Sequence, residues 1–206
     1  LVRNNAAELV NHDETQTLID KVAGRSPKLV EDLVPGKLTL ATITKVLQNI
    51  LDESVSVRDM RTIIEVLSTE SANTQNADDL TAAVRPRLGR MIVQSLIDVN
   101  DSLPVITLNP SLDQLLHNVL QQSASSQGLV IEPKLAEGLF KALAENTAMV
   151  ENQGHPAVLV VSPGIRPWLA KIIRHRLSDL TVLSYSEIPD DQAVKVVATV
   201  DVEETD

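Results

Sequence analysis

The sequence predicts an α+β fold, in which mostly helical first and middle parts precede a small α/β part. Through residues 35–67, apolar side chains recur three and four positions apart, which is the period of amphipathic helices. Residues 157–161 form an unbroken apolar run and residues 193–202 alternate, and both patterns are typical of strands. With a helical pattern at 165–177 and a further strand at 180–185, these runs predict a βαβ unit with one added strand, parallel or mixed.

We predict three segments along the 206 residues: a helical segment at 1–54, a mainly helical middle subdomain at 55–128 and an α/β subdomain at 129–206. The second boundary follows the run Ser123 to Gly128, which is small and polar like a flexible linker. A chain of this length buries a sizeable core. Since 43% of its residues are hydrophobic but only Phe140, Trp168 and Tyr185 are aromatic, that core must be aliphatic.

Two amphipathic helices occupy the central stretch, the first with its apolar residues at 43–51 and the second at 60–67. Either Thr39 or Thr42 supplies the N-cap of the first helix, and Ser56 is the expected N-cap of the second. The period breaks between the two helices, so we expect a helical hairpin or corner.

Helices also flank this central pair. We expect one from Asn5 to Val22, in which Asp13 restarts the helix as an N-cap, and a short helix or turn at 28–34. After a polar loop, a helix from Leu80 to Asp98 contains Pro86, which marks either the first turn of a restarted helix or a kink.

The second half of the chain mixes both kinds of element. Its further predicted elements are a strand at 105–108, a helix at 112–122, a short strand from Leu129 to Ile131 and a helix from Pro133 to about Val150.

Charge is unevenly distributed along the chain. The net charge of −10 predicts repulsion from nucleic acid, and the few aromatic residues offer no stacking platform for bases. A basic helix nevertheless carries Arg166, Lys171, Arg174 and Arg176, whereas residues 187–206 contain seven acids and one lysine. This segregation favours contact between identical subunits, with Arg166, Arg174 and Arg176 as the expected contact residues; the alternative is two solvated faces.

The sequence contains no motif for catalysis, a cofactor or a metal ion, so we expect a protein that is not an enzyme and uses no cofactor. Gly36-Lys37 lacks the earlier glycine and the following Ser or Thr of a phosphate loop. The four histidines lie too far apart to form a ligand pair on one helix. One alternative is a small α/β ligand-binding enzyme that uses the turn from Ser162 to Gly164, because ligands often bind where parallel strands end. Another is an acidic scaffold without a ligand.

The chain contains no apolar run that approaches the ~20 residues of a membrane-spanning helix, and we expect it to be soluble. It begins at Leu1 instead of Met, which indicates a piece of a longer protein.

Three blocks of sequence carry a family resemblance. They are Leu33 to Leu67 (LVPGKLTLATITKVLQNILDESVSVRDMRTIIEVL), Leu88 to Ile92 (LGRMI) and Val158 to Ile188 (VLVVSPGIRPWLAKIIRHRLSDLTVLSYSEI). In order and spacing they resemble the FlhA family, the export-gate membrane proteins of bacterial flagella and type III secretion injectisomes. The first block is nearer to flagellar members, and an injectisome homologue is the alternative.

The resemblance implies a function and a location. The full-length protein is then a bacterial inner-membrane protein, and this piece is its cytoplasmic docking platform beneath the membrane channel. The implied partners are flagellar export chaperones carrying substrates, the ATPase complex and other gate subunits, and identical subunits in a nonameric ring. Nucleic acid is not among them.

The first helix and the central helix offer a groove for such a partner. If they pack side by side, apolar residues and two hydroxyls meet at their junction, and a groove of this kind accepts a partner helix. The residues concerned are Leu9, Val10, Thr39, Leu40, Ala41 and Thr42. The resemblance implies that chaperones dock there, with Val10 at the family's aromatic position and Ala41 at its threonine, both departures from the family pattern. The alternative for each residue is ordinary core packing.

Overall fold

The computed structural model describes residues 6–123 and 132–202. The contacts within the chain form two compact units, Leu1–Ile92 and Val93–Asp206. The first, which we call the helical unit, contains helices; the second, which we call the sheet unit, contains a sheet with helices packed on it. Our predicted middle subdomain is thus shared between the two units, because its first helices pack with the helical unit and its strand joins the sheet.

Most of the helical unit is built from short helices. They are α1 (Ala6–Leu9), α2 (His12–Ala23), α3 (Pro27–Leu33), α4 (Leu40–Asp52), α5 (Met60–Glu70), α6 (Ala77–Val84), a 3-10 turn (Arg85–Leu88) and α7 (Gly89–Gln94), which continues into the sheet unit.

Helix α4 lies at the centre of the helical unit, where it contacts α1, α2 and α6. The apolar spacing that predicts this helix puts Ile43, Val46, Leu47 and Ile50 on one face, and all four side chains are fully buried. Helix α5 buries its own stripe in the same way, so the predicted pair of amphipathic helices is confirmed.

The helix caps confirm one prediction and correct two. Thr39 is the N-cap of α4, and its Oγ1 accepts a hydrogen bond from the Thr42 amide at 3.1 Å. Ser56 does not cap α5, because its hydroxyl accepts from the Arg58 amide, and Asp59 takes the N-cap position instead.

The predicted first helix is two helices. Asn11 is the N-cap of α2, and its Oδ1 accepts from the amides of Asp13 at 2.7 Å and Glu14 at 3.2 Å. Asp13 therefore lies within the first turn, where its carboxylate favours the positive end of the helix, and the prediction that Asp13 is the N-cap is wrong.

The predicted helix from Leu80 to Asp98 is interrupted at Pro86. The chain runs through a 3-10 turn there, because a proline cannot donate the hydrogen bond that would continue α6. Within that turn Arg85 is buried, and its Nη1 lies 2.9 Å from Oε2 of Glu53, the residue that follows α4.

In its described residues, the sheet unit contains four strands and three full helices. Its elements are β1 (Leu103–Leu108), α8 (Pro110–Ser123), α9 (Pro133–Asn152), β2 (Val158–Val161), α10 (Arg166–Ile173), β3 (Thr181–Ser184), a 3-10 turn (Tyr185–Glu187) and β4 (Val194–Val200). The predicted strand at Leu129–Ile131 and nearly all of the predicted linker at 123–128 fall outside the described residues.

The four strands are all parallel, in the order β3-β2-β1-β4. In register, Ile106 of β1 pairs with Leu159 of β2, and Val158 of β2 pairs with Thr181 of β3. All four residues of β2 are buried, as its unbroken apolar sequence predicts for a strand covered on both faces. The α+β fold is confirmed. The sheet includes β1 as a fourth strand, which the prediction assigned to the middle subdomain.

An aliphatic core holds the sheet unit together. Side chains of β1, β2, α8, α9 and α10 meet in it, and Phe140 and Trp168 pack partly buried against its edge. Over the described ranges, no helix combines the length and the apolar character needed to cross a bilayer.

Candidate docking site

The corner between α1 and α2 is tied to α4 by two polar contacts. Gln48 Nε2 donates to the carbonyl oxygen of Val10 at 2.8 Å, and Thr44 Oγ1 donates to Thr15 Oγ1 at 2.9 Å in a buried position. Both donors lie on α4, one turn apart, so they hold the corner and the start of α2 against one face of that helix.

An open depression of about 550 Å³ lies beside this corner. Its lining mixes a small apolar residue with amides and charges of both signs: Asn11, His12, Asp13, Ala41, Thr44, Lys45 and Gln48. Such a surface suits a partner that brings hydrogen-bonding and charged groups together with apolar ones.

The six predicted groove residues differ in their relation to this depression. Ala41 lines the depression, whereas Leu9 precedes it in the chain and is 68% exposed. Val10 and Leu40 are half-buried. Thr39 and Thr42 are occupied at the start of α4, where their hydroxyl oxygens lie 3.0 Å apart.

Sequence reasoning missed the polar residues of the depression. Lys45 and Gln48 follow Ala41 by four and seven positions, so helical spacing alone places all three on one face of α4. No pattern in the sequence predicts that Asn11, His12 and Asp13 line the depression, because their position there depends on the corner before α2.

The basic segment around α10 differs from its prediction. Arg166 is 3% exposed, and its Nε lies 3.3 Å from Oε1 of Glu187, which is 2% exposed. Its Nη1 also lies 3.5 Å from the carbonyl oxygen of Val182. Arg166 therefore joins α10 to β3 and the turn after it, and its proposal as a surface contact between subunits is corrected.

The other two arginines of that proposal follow α10. The guanidinium of Arg176 lies 4.4 Å from the centre of the Phe140 ring, which places a cation over an aromatic face. Arg174 is half-buried. Of the three, Arg176 is the exposed one, and its role in subunit contact stays a prediction.

The turn from Ser162 to Gly164 connects β2 to α10 at the carboxyl end of the sheet. Asp113 Oδ1 accepts a hydrogen bond from the Ser162 amide at 3.3 Å. A side chain at Gly164 would meet His117 of α8, because a Cβ atom there would lie 2.9 Å from His117 Cε1. The chain's own side chains thus approach this turn closely from α8.

Tyr185 lies at the same end of the sheet, directly after β3. Partial burial of its hydroxyl raises the pKa of Tyr185, and the negative charge of Asp113 raises it further. In the part of the chain that the structure describes, no group of three or more His, Asp or Glu side chains is arranged to hold a metal ion.

Comparison with known proteins decides the family. The model of the FHIPEP family matches residues 1–193. The chain belongs to the FHIPEP family. A curated relative, the flagellar biosynthesis protein FlhA of Escherichia coli K12, is 42% identical over 200 residues, which cover 97% of this chain and 28% of the relative. FlhA of Bacillus subtilis is 30% identical over 98% of this chain and 30% of that relative.

Solved structures show the same fold. The MxiA protein of Shigella flexneri superposes with a TM-score of 0.82 at 25% identity, covering 97% of this chain and 62% of that one. SctV-C of enteropathogenic Escherichia coli, described as nonameric, gives 0.78 at 28% identity, covering 97% and 60%. The match to the FHIPEP family therefore confirms the FlhA resemblance predicted from three sequence blocks. The chain spans less than a third of the length of those curated relatives.

Proposed function

We propose that this chain is the cytoplasmic docking platform of a flagellar type III export gate, and that it binds export chaperones loaded with their substrates. The depression beside the α1–α2 corner carries the proposal, because it offers an open surface of mixed chemistry along one face of α4. The full-length protein would then reside in the bacterial inner membrane, with this chain facing the cytoplasm. Membership of the FHIPEP family supports both statements.

The proposed binding mode follows from the exposed groups. A partner helix lies across the start of α4, where the small side chain of Ala41 allows close approach and the exposed Leu9 adds apolar contact. Lys45 and Asp13 at the lining then pair with charges on the partner and set its register. In this role the chain supplies binding surfaces and no catalytic residue.

The proposal extends to assembly. Identical chains form a ring beneath the membrane channel, and the ATPase complex and other gate subunits contact the same platform. The nonameric state of the similar SctV-C supports a nonamer. Sedimentation of the chain at increasing concentration tests ring formation, and substituting Glu for Arg176 shows whether that residue contributes.

Docking is tested by calorimetry with a flagellar chaperone bound to its substrate. Ala41→Asp should weaken binding about tenfold or more, because it puts a larger, charged side chain where the partner helix approaches closely. The variant should fold normally, since Ala41 lies in the first turn of α4, where a carboxylate favours the helix dipole.

Ala72→Asp is the matched control. Ala72 is exposed in the turn after α5 and lies outside the depression, so the same change there should leave the affinity unaltered. Equal affinity of both variants and the unchanged chain, or binding only to an injectisome chaperone, would contradict the proposal.

A further inference from the structure

Strand β4 differs from the other strands in its exposure. Strand β2 is entirely buried, whereas six of the seven residues of β4 are exposed or half-buried. Val194 and Val196 are 45% and 57% exposed, which is unusual for β-branched residues in a parallel sheet. Strand β4 pairs with β1 on one side, and no other described strand pairs with its outer edge.

The direction of the main-chain groups of β4 follows from its pairing with β1, which is regular from Leu103 to Val105 and shifts by one residue of β4 after Val196. The Leu103 amide donates to the Ala193 carbonyl at 2.8 Å, and Leu103 stands in register with Val194. In a parallel ladder, alternate residues direct both main-chain groups to the same neighbour. The N–H and C=O groups of Val194 and Val196 therefore point away from β1, towards the outer edge.

Acidic residues surround the amino end of this strand. Asp190 and Asp191 precede it, and a depression of about 670 Å³ beside Lys195 is lined by Asp98 and Asp101 among others. At its other end, Asp201 follows the strand directly. A segment that lies along β4 is therefore favoured when it carries positive charges at its ends.

We infer that the outer edge of β4 receives an extended, basic-ended segment of a partner protein as a fifth strand of the sheet. Main-chain hydrogen bonds to Val194 and Val196 supply the affinity, and the acids at both ends select the charge. A second copy of β4 is a poorer occupant, because its own flanking acids would lie against Asp190 or Asp201. This surface lies in the sheet unit, so the inference is independent of the docking proposed for the helical unit.

A fluorescein-labelled peptide of alternating valine and threonine, with an arginine at each end, tests the inference by fluorescence polarisation. The 206-residue chain should bind it saturably, and a peptide with glutamate in place of both arginines should bind about tenfold more weakly. Absence of saturable binding, or equal binding of the two peptides, would overturn the inference.

Two substitutions at one position separate main-chain from side-chain recognition. Val196→Pro removes the outward N–H and should weaken binding about tenfold, while the sheet survives because proline is tolerated where an edge N–H faces away from its neighbour. Val196→Thr keeps the N–H and should retain binding within about threefold. Circular dichroism verifies that both variants fold.

The main-chain mechanism would be wrong if both variants lost peptide binding equally, or if neither variant lost it. Sedimentation of the chain without peptide tests whether a second copy of the chain occupies the edge instead. If Val196→Pro abolished self-association and the peptide did not bind, a second copy would occupy the edge and the inference would be wrong.

Discussion

Each unit of the molecule buries an arginine against a glutamate, and the two pairs differ in their access to water. In the helical unit Arg85 is 1% exposed, but its partner Glu53 remains 20% exposed. In the sheet unit both Arg166 and Glu187 are nearly inaccessible. Removing one partner is most costly where water cannot replace it, so the same chemical change should have unequal effects in the two units.

The positions of the aromatic residues allow unfolding of the sheet unit to be followed by a signal of its own. Phe140, Trp168 and Tyr185 all belong to the sheet unit, and the helical unit contains no aromatic residue. Trp168 fluorescence therefore reports the sheet unit, whereas far-ultraviolet circular dichroism reports the helices of both.

The largest effect is expected for Glu187→Ala. This substitution leaves the buried guanidinium of Arg166 without its carboxylate and should lower the free energy of unfolding by about 3–5 kcal/mol. Urea denaturation followed by Trp168 fluorescence measures it. The double variant Arg166→Met with Glu187→Leu is the control and should recover most of the loss, because well-packed apolar residues often replace a buried ion pair without cost.

A smaller effect is expected for Glu53→Ala in the helical unit. Water reaches the position of the Glu53 carboxylate, so the loss should be about 1–2 kcal/mol, measured by circular dichroism in urea. A loss equal to that of Glu187→Ala would show that access to water does not set the difference between the two pairs.

The polar contact beneath the docking corner should contribute less. Thr44→Val keeps the shape of the side chain but removes the hydroxyl that donates to Thr15, and about 1 kcal/mol should be lost. Thr69→Val is the control, since the exposed Thr69 hydroxyl donates to the carbonyl oxygen of Glu65 within its own helix and its loss should have little effect on stability. Denaturation in urea compares the two variants.

The smallest effect concerns Tyr185. Since burial and Asp113 both raise its pKa, the phenol should ionise above the ordinary value of about 10, and the folded state should lose stability as the pH rises through that range. Absorbance at high pH follows this single tyrosine without interference from another. Asp113→Asn should lower the pKa of Tyr185, and an unchanged midpoint would rule out the influence of that carboxylate.

Sequence predicts best what depends on local periodicity. The buried face of α4 and the unbroken apolar strand β2 follow directly from the spacing of their residues. The N-cap of α5 does not follow from the sequence, because Ser56 and Asp59 both have side chains that suit the position and the backbone path selects Asp59.

Features that join distant segments could not be predicted. Arg166 looks like a surface cation among other cations, and its burial depends on Glu187, which belongs to another element. Strand β1 is short and far from β2 along the chain, so nothing local assigns it to the centre of the sheet. The depression likewise depends on how the α1–α2 corner meets α4, although Lys45 and Gln48 follow from helical spacing once Ala41 is chosen.

The position of β1 has a consequence for biosynthesis. Its hydrogen-bonding partner on one side is β4, and Thr107 meets Thr199 across 92 positions of sequence. Because a ribosome releases the chain from its N-terminal end, β1 emerges before β4, and the main-chain N–H and C=O groups on that edge of β1 stay unpaired until β4 has been made.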